Sequence, residues 1–302
     1  MILIRAAELT KTFDGANAVE RVTFEIPDGC ICGLVGTNGS GKSTLLRLIS
    51  GVYYPDGGTV KINEEDVFDN IHAKSELFFL PDTPYYFHQS SVSGMADFYA
   101  GVYKNFDRNL YSKLLTVFPV DPKKSINSFS KGMQRQAALL LAFSCRPRLL
   151  LLDEAFDGLD PLILKTLKSL ISDLVSECGM TVIIASHNLR ELENLCDHVG
   201  LMHKGHVLLH SNIDDLKQNT HNVQIVCGVT AAEMITHGID ILQIKQEQGE
   251  LRNLIIRGDG NDIKNRLEAL APKYLEINSP TLEEIFIYTT EVADYDFSKI
   301  IV

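Results

Sequence analysis

Short, wholly apolar runs alternate along this chain with longer stretches in which apolar residues recur every three or four positions. The runs at residues 31–35, 149–152 and 181–185 lack the polar alternation of a sheet with one solvated face. Such runs are typical of parallel strands that are covered on both sides. After Asp160 and Pro161, a helix start, the spacing becomes helical. The pattern therefore predicts an α/β fold with a mainly parallel sheet between helices.

The N-terminal part of the chain carries further short strands, at residues 2–6, 22–26, 59–62 and 77–80. Beyond Pro81 the chain changes character, and apolar residues take helical spacings up to about residue 128. We expect a mostly helical insertion there, which with the apolar helix at 134–142 extends over about 83–145. Most of its aromatic residues should pack inside it. They are Tyr85, Tyr86, Phe87, Phe98, Tyr99, Tyr103, Phe106 and Tyr111.

The C-terminal third has a pattern of its own. Strand-like and helix-like stretches follow in the order strand, helix, strand, strand, helix, strand, and a last helix covers about 281–288. This order predicts a small, separate α+β domain. We place the domains at residues 1–215 and 216–302, and we expect the final ten residues to be a loose tail or an interface segment.

Composition narrows the choice of partners. The 302 residues are 45% hydrophobic and 22% charged, as in ordinary globular proteins, and the formal net charge is -11. A net negative charge repels polyanions, so we expect no nucleic-acid partner.

The cysteines, the N-terminus and the lengths of the apolar runs indicate in which cellular compartment the chain works. The six cysteines include no C-x-x-C pair, so we expect small core residues in a reducing cytosol rather than disulfides or a zinc site. The N-terminus alternates like a strand and lacks the form of a signal peptide. No apolar run approaches the roughly 18 residues that span a bilayer. Any membrane passage would come from another chain.

Residues 36–43 fit the spacing G-x-x-x-x-G-K-[ST], between an apolar strand and an apolar helix. Glycines let the backbone approach a phosphate, and the helix N-terminus directs free N–H groups at the same anion. In this loop Lys42 should reach the outer phosphates of a nucleotide, and the Ser43 hydroxyl should bind Mg²⁺. The loop residues are Gly36, Thr37, Asn38, Gly39, Ser40, Gly41, Lys42 and Ser43.

Polar side chains follow two of the buried runs. Asp153 and Glu154 come directly after residues 149–152, and His187 follows the next run. Beside a phosphate loop, Asp153 suits a Mg²⁺ ligand and Glu154 a general base for an attacking water. His187 can donate to the γ-phosphate, although a histidine after a strand is usually only a surface residue. By itself, Phe13 fits a core position better than an adenine platform.

The ordered set of motifs is similar to the nucleotide-binding subunit of an ATP-binding cassette (ABC) transporter. The set comprises the phosphate loop, a signature-like segment at residues 129–133, the strand ending in Asp153 and Glu154, Asp160, and His187. The resemblance covers about residues 1–215. It implies an α/β P-loop NTPase core with a mainly parallel sheet, an antiparallel β subdomain and a helical subdomain, followed here by the small C-terminal α+β domain.

The resemblance also implies roles and partners. Phe13 matches the aromatic residue that stacks on adenine, Thr44 extends the phosphate loop, and Asp160 matches the aspartate of the D-loop. Ser130 and Gly132 match signature residues that contact ATP held by a second subunit. Two subunits, identical or closely related, would then dimerise around two ATP molecules with Mg²⁺.

The sequence departs from the family pattern at two places. The signature has Lys131 and Met133 where glycine and glutamine are usual, a form similar to that of a subclass of bacterial exporters. Asp82 stands where the family has the glutamine of the Q-loop. An aspartate keeps an oxygen for Mg²⁺ but loses the amide donor. Asp82 therefore suits a metal ligand or simply a cap of the following turn.

Together these observations predict an ATPase subunit that drives a separate membrane permease, in an exporter, from the inner face of the cell membrane. The permease would dock on the aromatic insertion. Two alternatives stay open, namely an ABC ATPase without a transport role and a regulatory nucleotide-binding module with little turnover. The C-terminal domain would strengthen dimerisation or regulate the ATPase.

Overall fold

The computed structural model describes the backbone of residues 1–298 and the side chains of residues 1–291. The chain divides into two compact units, one covering Met1–His210 and the other beginning at Ser211. This division lies a few residues before the expected one at 215. Each unit is described by itself below.

Ten strands and seven helices make up the first unit, whose last strand crosses the division. The strands are β1 (Ile2–Phe13), β2 (Ala16–Pro27), β3 (Ile31–Val35), β4 (Gly57–Ile62), β5 (Glu65–Asp66), β6 (Leu77–Leu80), β7 (Leu149–Asp153), β8 (Thr181–Ser186), β9 (His198–His203) and β10 (His206–Asn212). The helices are α1 (Lys42–Ile49), α2 (Ile71–Ser75), α3 (Val92–Val102), α4 (Arg108–Val117), α5 (Lys131–Ser144), α6 (Pro161–Cys178) and α7 (Leu189–Leu192).

The central sheet has six strands in the order β10-β9-β3-β8-β7-β6. Strand β3 is parallel to β8 and β9, and β7 is parallel to β8 and β6. Every residue of β3, β7 and β8 is buried, as the wholly apolar runs predict. Because these three strands are neighbours and parallel, their carboxyl ends lie side by side at one edge of the sheet.

A second, antiparallel sheet has the order β2-β1-β4-β5. The hairpin of β1 and β2 is much longer than the short strands predicted for this region. Its pairing shifts register between Ala6 and Leu9 and again before Lys11, so the apolar alternation breaks within each strand. A constant period of two therefore extends only to Ala6, where the predicted strand ended. One apolar core joins residues of this sheet, α1 and the central sheet.

Three helices, α3, α4 and α5, occupy the stretch predicted to be a mostly helical insertion. Each begins at a capping side chain that accepts a backbone N–H of the first turn, namely Ser91, Asp107 and Ser130. Helix α5 begins earlier and ends later than its predicted span. Helix α6 begins after Asp160 and ends at Gly179, which has a positive φ of 65°, as the sequence predicts.

The second unit consists of α8 (Ile213–Gln218), β11 (Thr220–Val226), α9 (Ala231–Thr236), β12 (Asp240–Gln248), β13 (Leu251–Arg257), α10 (Gly260–Glu268), β14 (Tyr274–Asn278) and α11 (Leu282–Ser298). From β11 to β14 the elements follow the predicted order. The strands form one antiparallel sheet in the order β12-β13-β11-β14. An apolar core joins this sheet to α9 and α10.

Three further features differ from the sequence predictions. The hairpin of β9 and β10 was not foreseen. Helix α11 continues to Ser298, where a tail or interface segment was expected, and residues 299–302 lie outside the described part. Cys178 is exposed at the end of α6, whereas the other five cysteines are buried as predicted. Within residues 1–298, no helix has the length and apolar character needed to cross a membrane.

Candidate active site

Residues 36–43 form the loop that joins β3 to α1 at the carboxyl edge of the central sheet. Gly39 and Gly41 have φ values of 80° and 105°, which L side chains rarely adopt. A Cβ at Gly36 would clash with the Met202 carbonyl oxygen. The loop conformation thus requires glycine at these positions. Thr37, Asn38 and Gly39 are exposed at its tip, Ser40 is buried at its base, and Thr44 is half-buried in α1.

Lys42 is the first residue of α1 and is only 5% exposed. Its Nζ donates to the carbonyl oxygens of Gly36, at 2.8 Å, and Thr37, at 3.3 Å, so the side chain folds back over the loop. The same Nζ lies 3.4 Å from Glu154 Oε1. A charged amine held above the free N–H groups of a helix N-terminus forms a cradle for an anion.

Ser43 and Asp153 meet beside this cradle. Ser43 Oγ donates a hydrogen bond of 2.9 Å to Asp153 Oδ1. Asp153 is 1% exposed, and burial raises the pKa of its carboxyl group while the hydrogen bond from Ser43 acts in the opposite direction. Its other oxygen, Oδ2, has no hydrogen-bond partner among the described residues. A buried, unpartnered carboxylate oxygen beside a hydroxyl suits a hard divalent cation such as Mg²⁺.

Glu154 projects from a strained peptide just past β7. Its φ is 47°, in the left-handed region that non-glycine residues seldom occupy. Its N–H donates to the Ala185 carbonyl oxygen at 2.9 Å. Its Oε2 lies 2.9 Å from His187 Nδ1 and accepts the His187 backbone N–H at 3.3 Å. The hydrogen bond with Glu154 raises the pKa of His187, against the opposing effect of burial.

Asp157 joins this pair, and the sequence reasoning did not single it out. Oxygen and nitrogen atoms of Glu154, Asp157 and His187 all lie within 4.8 Å of one another. Burial, and next the charge of Glu154, raise the pKa of Asp157. The only signal in the sequence was an acidic residue three positions after Glu154, which does not show that the turn folds back toward His187.

Asp82 follows β6 and forms an ion pair with Arg135, with Nη2 at 2.7 Å from Oδ1. The Arg135 side chain also donates to the carbonyl oxygens of Asp82, at 2.9 Å, and Glu154. Arg135 was missed because its partners lie far away in the sequence. The role of Asp82 as a Mg²⁺ ligand stays a prediction.

The signature segment lies at the exposed start of α5. Ser130 and Lys131 are exposed, and Ser130 Oγ accepts the Met133 N–H at 3.4 Å. A Cβ at Gly132 would lie 3.1 Å from the Gly158 carbonyl oxygen, so this turn lies against the stretch between Glu154 and Asp160. Asp160 is exposed and caps α6 through the N–H groups of Leu162 and Ile163.

Phe13 lies at the end of β1 and is 41% exposed, rather than in the core. Its ring meets the edge of the Tyr53 ring, with centroids 5.4 Å apart, and Lys11 Nζ lies 5.6 Å from its centroid. A half-exposed ring of this kind leaves a face open for stacking.

A glycine loop between a strand and a helix, with a buried aspartate and a glutamate at the carboxyl end of another strand of the same sheet, defines a P-loop nucleoside triphosphatase. The ABC transporter family model matches residues 19–157. The chain is 31% identical to the bacitracin transport ATP-binding protein BcrA of Bacillus licheniformis over 72% of each chain. The chain belongs to the family of ABC transporter ATP-binding proteins, whose cassettes bind and hydrolyse ATP.

Two further comparisons extend the likeness. The ABC transporter ATP-binding protein YtrB of Bacillus subtilis is 28% identical, over 94% of this chain and 97% of its own, so the match includes the C-terminal unit. A solved ATP-binding subunit of an ABC transporter superposes with a TM-score of 0.66 at 27% identity, over 71% of this chain and 92% of its own. The predicted family and fold class are thereby confirmed.

Proposed function

We propose that this chain hydrolyses MgATP in a site shared between two cassettes and uses the resulting closure to drive an exporter permease. One observation carries the proposal. Lys42 and Ser43, Asp153 and Glu154, and His187 converge from the ends of three neighbouring parallel strands. This convergence brings a phosphate cradle, a metal ligand and a base into one place.

ATP binding starts at the loop of residues 36–43. Lys42 Nζ now donates to two neutral carbonyl oxygens of its own loop. Phosphate oxygens are stronger acceptors for an ammonium group, so a triphosphate would take over these hydrogen bonds. The exposed face of Phe13 would receive the adenine.

Ser43 Oγ and Asp153 would hold Mg²⁺, since both oxygens lie beside the cradle and Asp153 Oδ2 lacks another partner within the described residues. When bound, the ion neutralises charge on the phosphate oxygens. We retain Asp82 as a candidate ligand only in a state in which its ion pair with Arg135 is broken.

Glu154 would take a proton from the attacking water. The water oxygen then forms a bond to the γ-phosphorus, the bond to the bridging oxygen breaks, and ADP leaves with that electron pair. His187 orients the Glu154 carboxylate through their 2.9 Å contact. The raised pKa of His187 favours the charged imidazole, which would offer positive charge to the γ-phosphate.

The shared site uses the exposed start of α5. Ser130 and Gly132 lie at the N-terminus of a 14-residue helix, where free N–H groups attract an anion. We propose that they contact the ATP of a second copy or a close relative, with Asp160 at the interface. A dimeric ABC cassette bound to ADP and phosphate has the same fold at 20% identity and a TM-score of 0.63.

An exposed aromatic surface supports the proposal that the chain binds a permease. It consists of Tyr85, Phe87 and Phe98. The ring centroid of Phe87 lies 6.3 Å from that of Tyr85 and 5.2 Å from that of Phe98. All three are exposed, and contiguous exposed apolar surface usually marks an interaction site. We propose that this aromatic surface binds the cytoplasmic part of a membrane permease, which would hold the chain at the inner face of the membrane.

Export is the favoured direction of transport. Relatives include bacitracin transport proteins and, at 27% identity, the ATP-binding protein LptB of the Escherichia coli lipopolysaccharide export system. A nucleic-acid partner is not expected for a chain with a net charge of -11.

Two measurements test this function. ATPase assays of the wild type and Glu154→Gln decide against a low-turnover regulatory module if only the wild type hydrolyses ATP. Co-purification from detergent-solubilised membranes decides against an ABC ATPase without a transport role if a membrane-spanning protein comes with the wild type. Phe98→Asp should lose that protein, whereas Ile235→Asp, at an exposed apolar residue of the second unit, should retain it. Capture of the permease by both variants would contradict the docking surface.

A further inference from the structure

We infer that Arg135 is a positioning residue that links Asp82 to the backbone of Glu154 and thereby holds the catalytic base in place. One guanidinium group makes all the contacts. Nη2 donates to Asp82 Oδ1 at 2.7 Å and to the Asp82 carbonyl oxygen at 2.9 Å, and Nη1 donates to the Glu154 carbonyl oxygen. The inference rests on the proposed role of Glu154.

The low exposure of Arg135 and the number of its hydrogen bonds separate this contact from an ordinary surface ion pair. The Arg135 side chain is 15% exposed and Asp82 is 55% exposed. A mostly covered guanidinium keeps its geometry because its planar fork makes several hydrogen bonds at once. The contact also joins three separate parts of the chain, since Arg135 lies on α5, Asp82 follows β6, and Glu154 follows β7.

The peptide that Arg135 holds is the strained one. With φ at 47°, Glu154 occupies a conformation that needs support from its surroundings. Its N–H is bound to the Ala185 carbonyl oxygen and its own carbonyl oxygen to Arg135. Both peptide groups of the residue are therefore held, and the backbone position from which its carboxylate reaches His187 and Lys42 is held with them.

The same contact connects Glu154 to the aromatic surface and to the signature segment. Asp82 is followed closely by Tyr85 and Phe87 of the aromatic surface, and Arg135 lies one turn beyond Gly132 of the signature segment. A shift of either surface would move a hydrogen-bond partner of Glu154. In this chain, the aspartate at the Q-loop position thus acts through an arginine on α5.

The test compares full-length Arg135→Gln, Asp82→Ala, the double variant and a matched control. Arg108→Gln serves as the control because Arg108 forms an exposed ion pair with Asp97 in the same insertion. We expect Arg135→Gln to lower kcat about 10- to 100-fold, as misplaced catalytic groups do. The KM for ATP should change less than about twofold, because the cradle is intact.

Non-additive effects of the two substitutions on kcat would identify the linkage between Asp82 and Arg135. If Asp82 acts through Arg135, the double variant should have about the kcat of Arg135→Gln alone, rather than the product of both losses. Arg135→Lys, which retains the charge but not the fork, should recover only part of the rate. Independent losses, or an unchanged kcat in Arg135→Gln, would overturn the inference.

Hydrogen exchange of the nucleotide-free chain supplies a readout that does not depend on turnover. Arg135→Gln should speed amide exchange both at residues 154–158 and after Asp82, while Arg108→Gln should not. Unchanged exchange at 154–158 would refute the linkage even if the variant is inactive. If the wild type hydrolyses no ATP but these exchange changes occur, the proposed function fails and the linkage stands.

Discussion

Ser43 Oγ donates a 2.9 Å hydrogen bond to Asp153 Oδ1 across 110 positions of sequence. Ser43 lies in α1, directly after the loop that follows β3, and Asp153 is the last residue of β7; β3 and β7 flank β8 in the central sheet. The bond occupies one oxygen of a buried carboxylate, and the other oxygen has no partner in the part of the chain that the structure describes. Asp153 can therefore offer one carboxylate oxygen to a cation at this point.

The first prediction concerns this carboxylate. Asp153→Asn should abolish the gain in ATP affinity that Mg²⁺ confers, because the amide lacks the charge that binds the ion. Isothermal titration with ATP, in Mg²⁺ and in EDTA, measures the difference. At neutral pH the nucleotide-free variant should unfold at higher urea than the wild type, since burial disfavours the ionised aspartate. An unchanged effect of Mg²⁺ would contradict the metal role.

Lys42→Ala should lower the affinity for ATP by roughly 100-fold or more, since a charge-assisted contact to phosphate is lost. Fluorescence titration with a labelled ATP analogue measures the affinity. Lys264→Ala removes a lysine from an exposed pair with Glu268 and should bind like the wild type. Retained micromolar affinity in Lys42→Ala would count against the cradle.

Glu154→Gln should trap ATP and stabilise a dimer, because the amide fills the same space but accepts no proton from water. Gel filtration with light scattering, in ATP and Mg²⁺, should show twice the monomer mass. Adding Ser130→Arg should return the monomer, since a bulky cation would block the signature turn. A Glu154→Gln variant that stays monomeric, even with its permease present, would argue against the shared site.

His187 provides a pH dependence with a definite sign. Its pKa is raised above 6.5, first by the hydrogen bond with Glu154, so the folded state favours the charged imidazole. This stability is fully present below the unfolded-state pKa and is lost as pH rises through the folded-state value. The difference in urea stability between wild type and His187→Gln should therefore shrink as pH rises from below 6.5 through the raised folded-state pKa. A difference that grows with pH would show that the imidazole is neutral in the fold.

Phe13→Ala should weaken ATP binding by about 1–3 kcal/mol, the usual contribution of one aromatic ring stacked on a base. Phe13→Tyr keeps the ring and should bind normally. Equal affinities of the alanine variant and the wild type would place adenine elsewhere. Melting temperatures of all three proteins should be close, because the ring is already 41% exposed.

Much of the site could be predicted because its chemistry comes in short stretches. Gly36 to Ser43 are contiguous. Asp153, Glu154 and His187 lie at or directly after the ends of buried parallel strands, whose carboxyl ends must share an edge. Arg135 and Asp157 could not be found this way. Arg135 contacts Asp82 across 53 positions, through an insertion whose packing no local pattern describes. Asp157 depends on how the turn after Glu154 folds back.

By itself, the sequence determined the buried parallel strands, the phosphate loop and the family, since each depends on residue spacing within a few turns. The α/β order of the C-terminal unit was determined in the same way. Only the tertiary structure decided which partners the charged groups have, because ion pairs form between residues that folding brings together. Thus Asp82 binds Arg135, Glu154 binds His187, and Asp153 retains a free oxygen within the described residues.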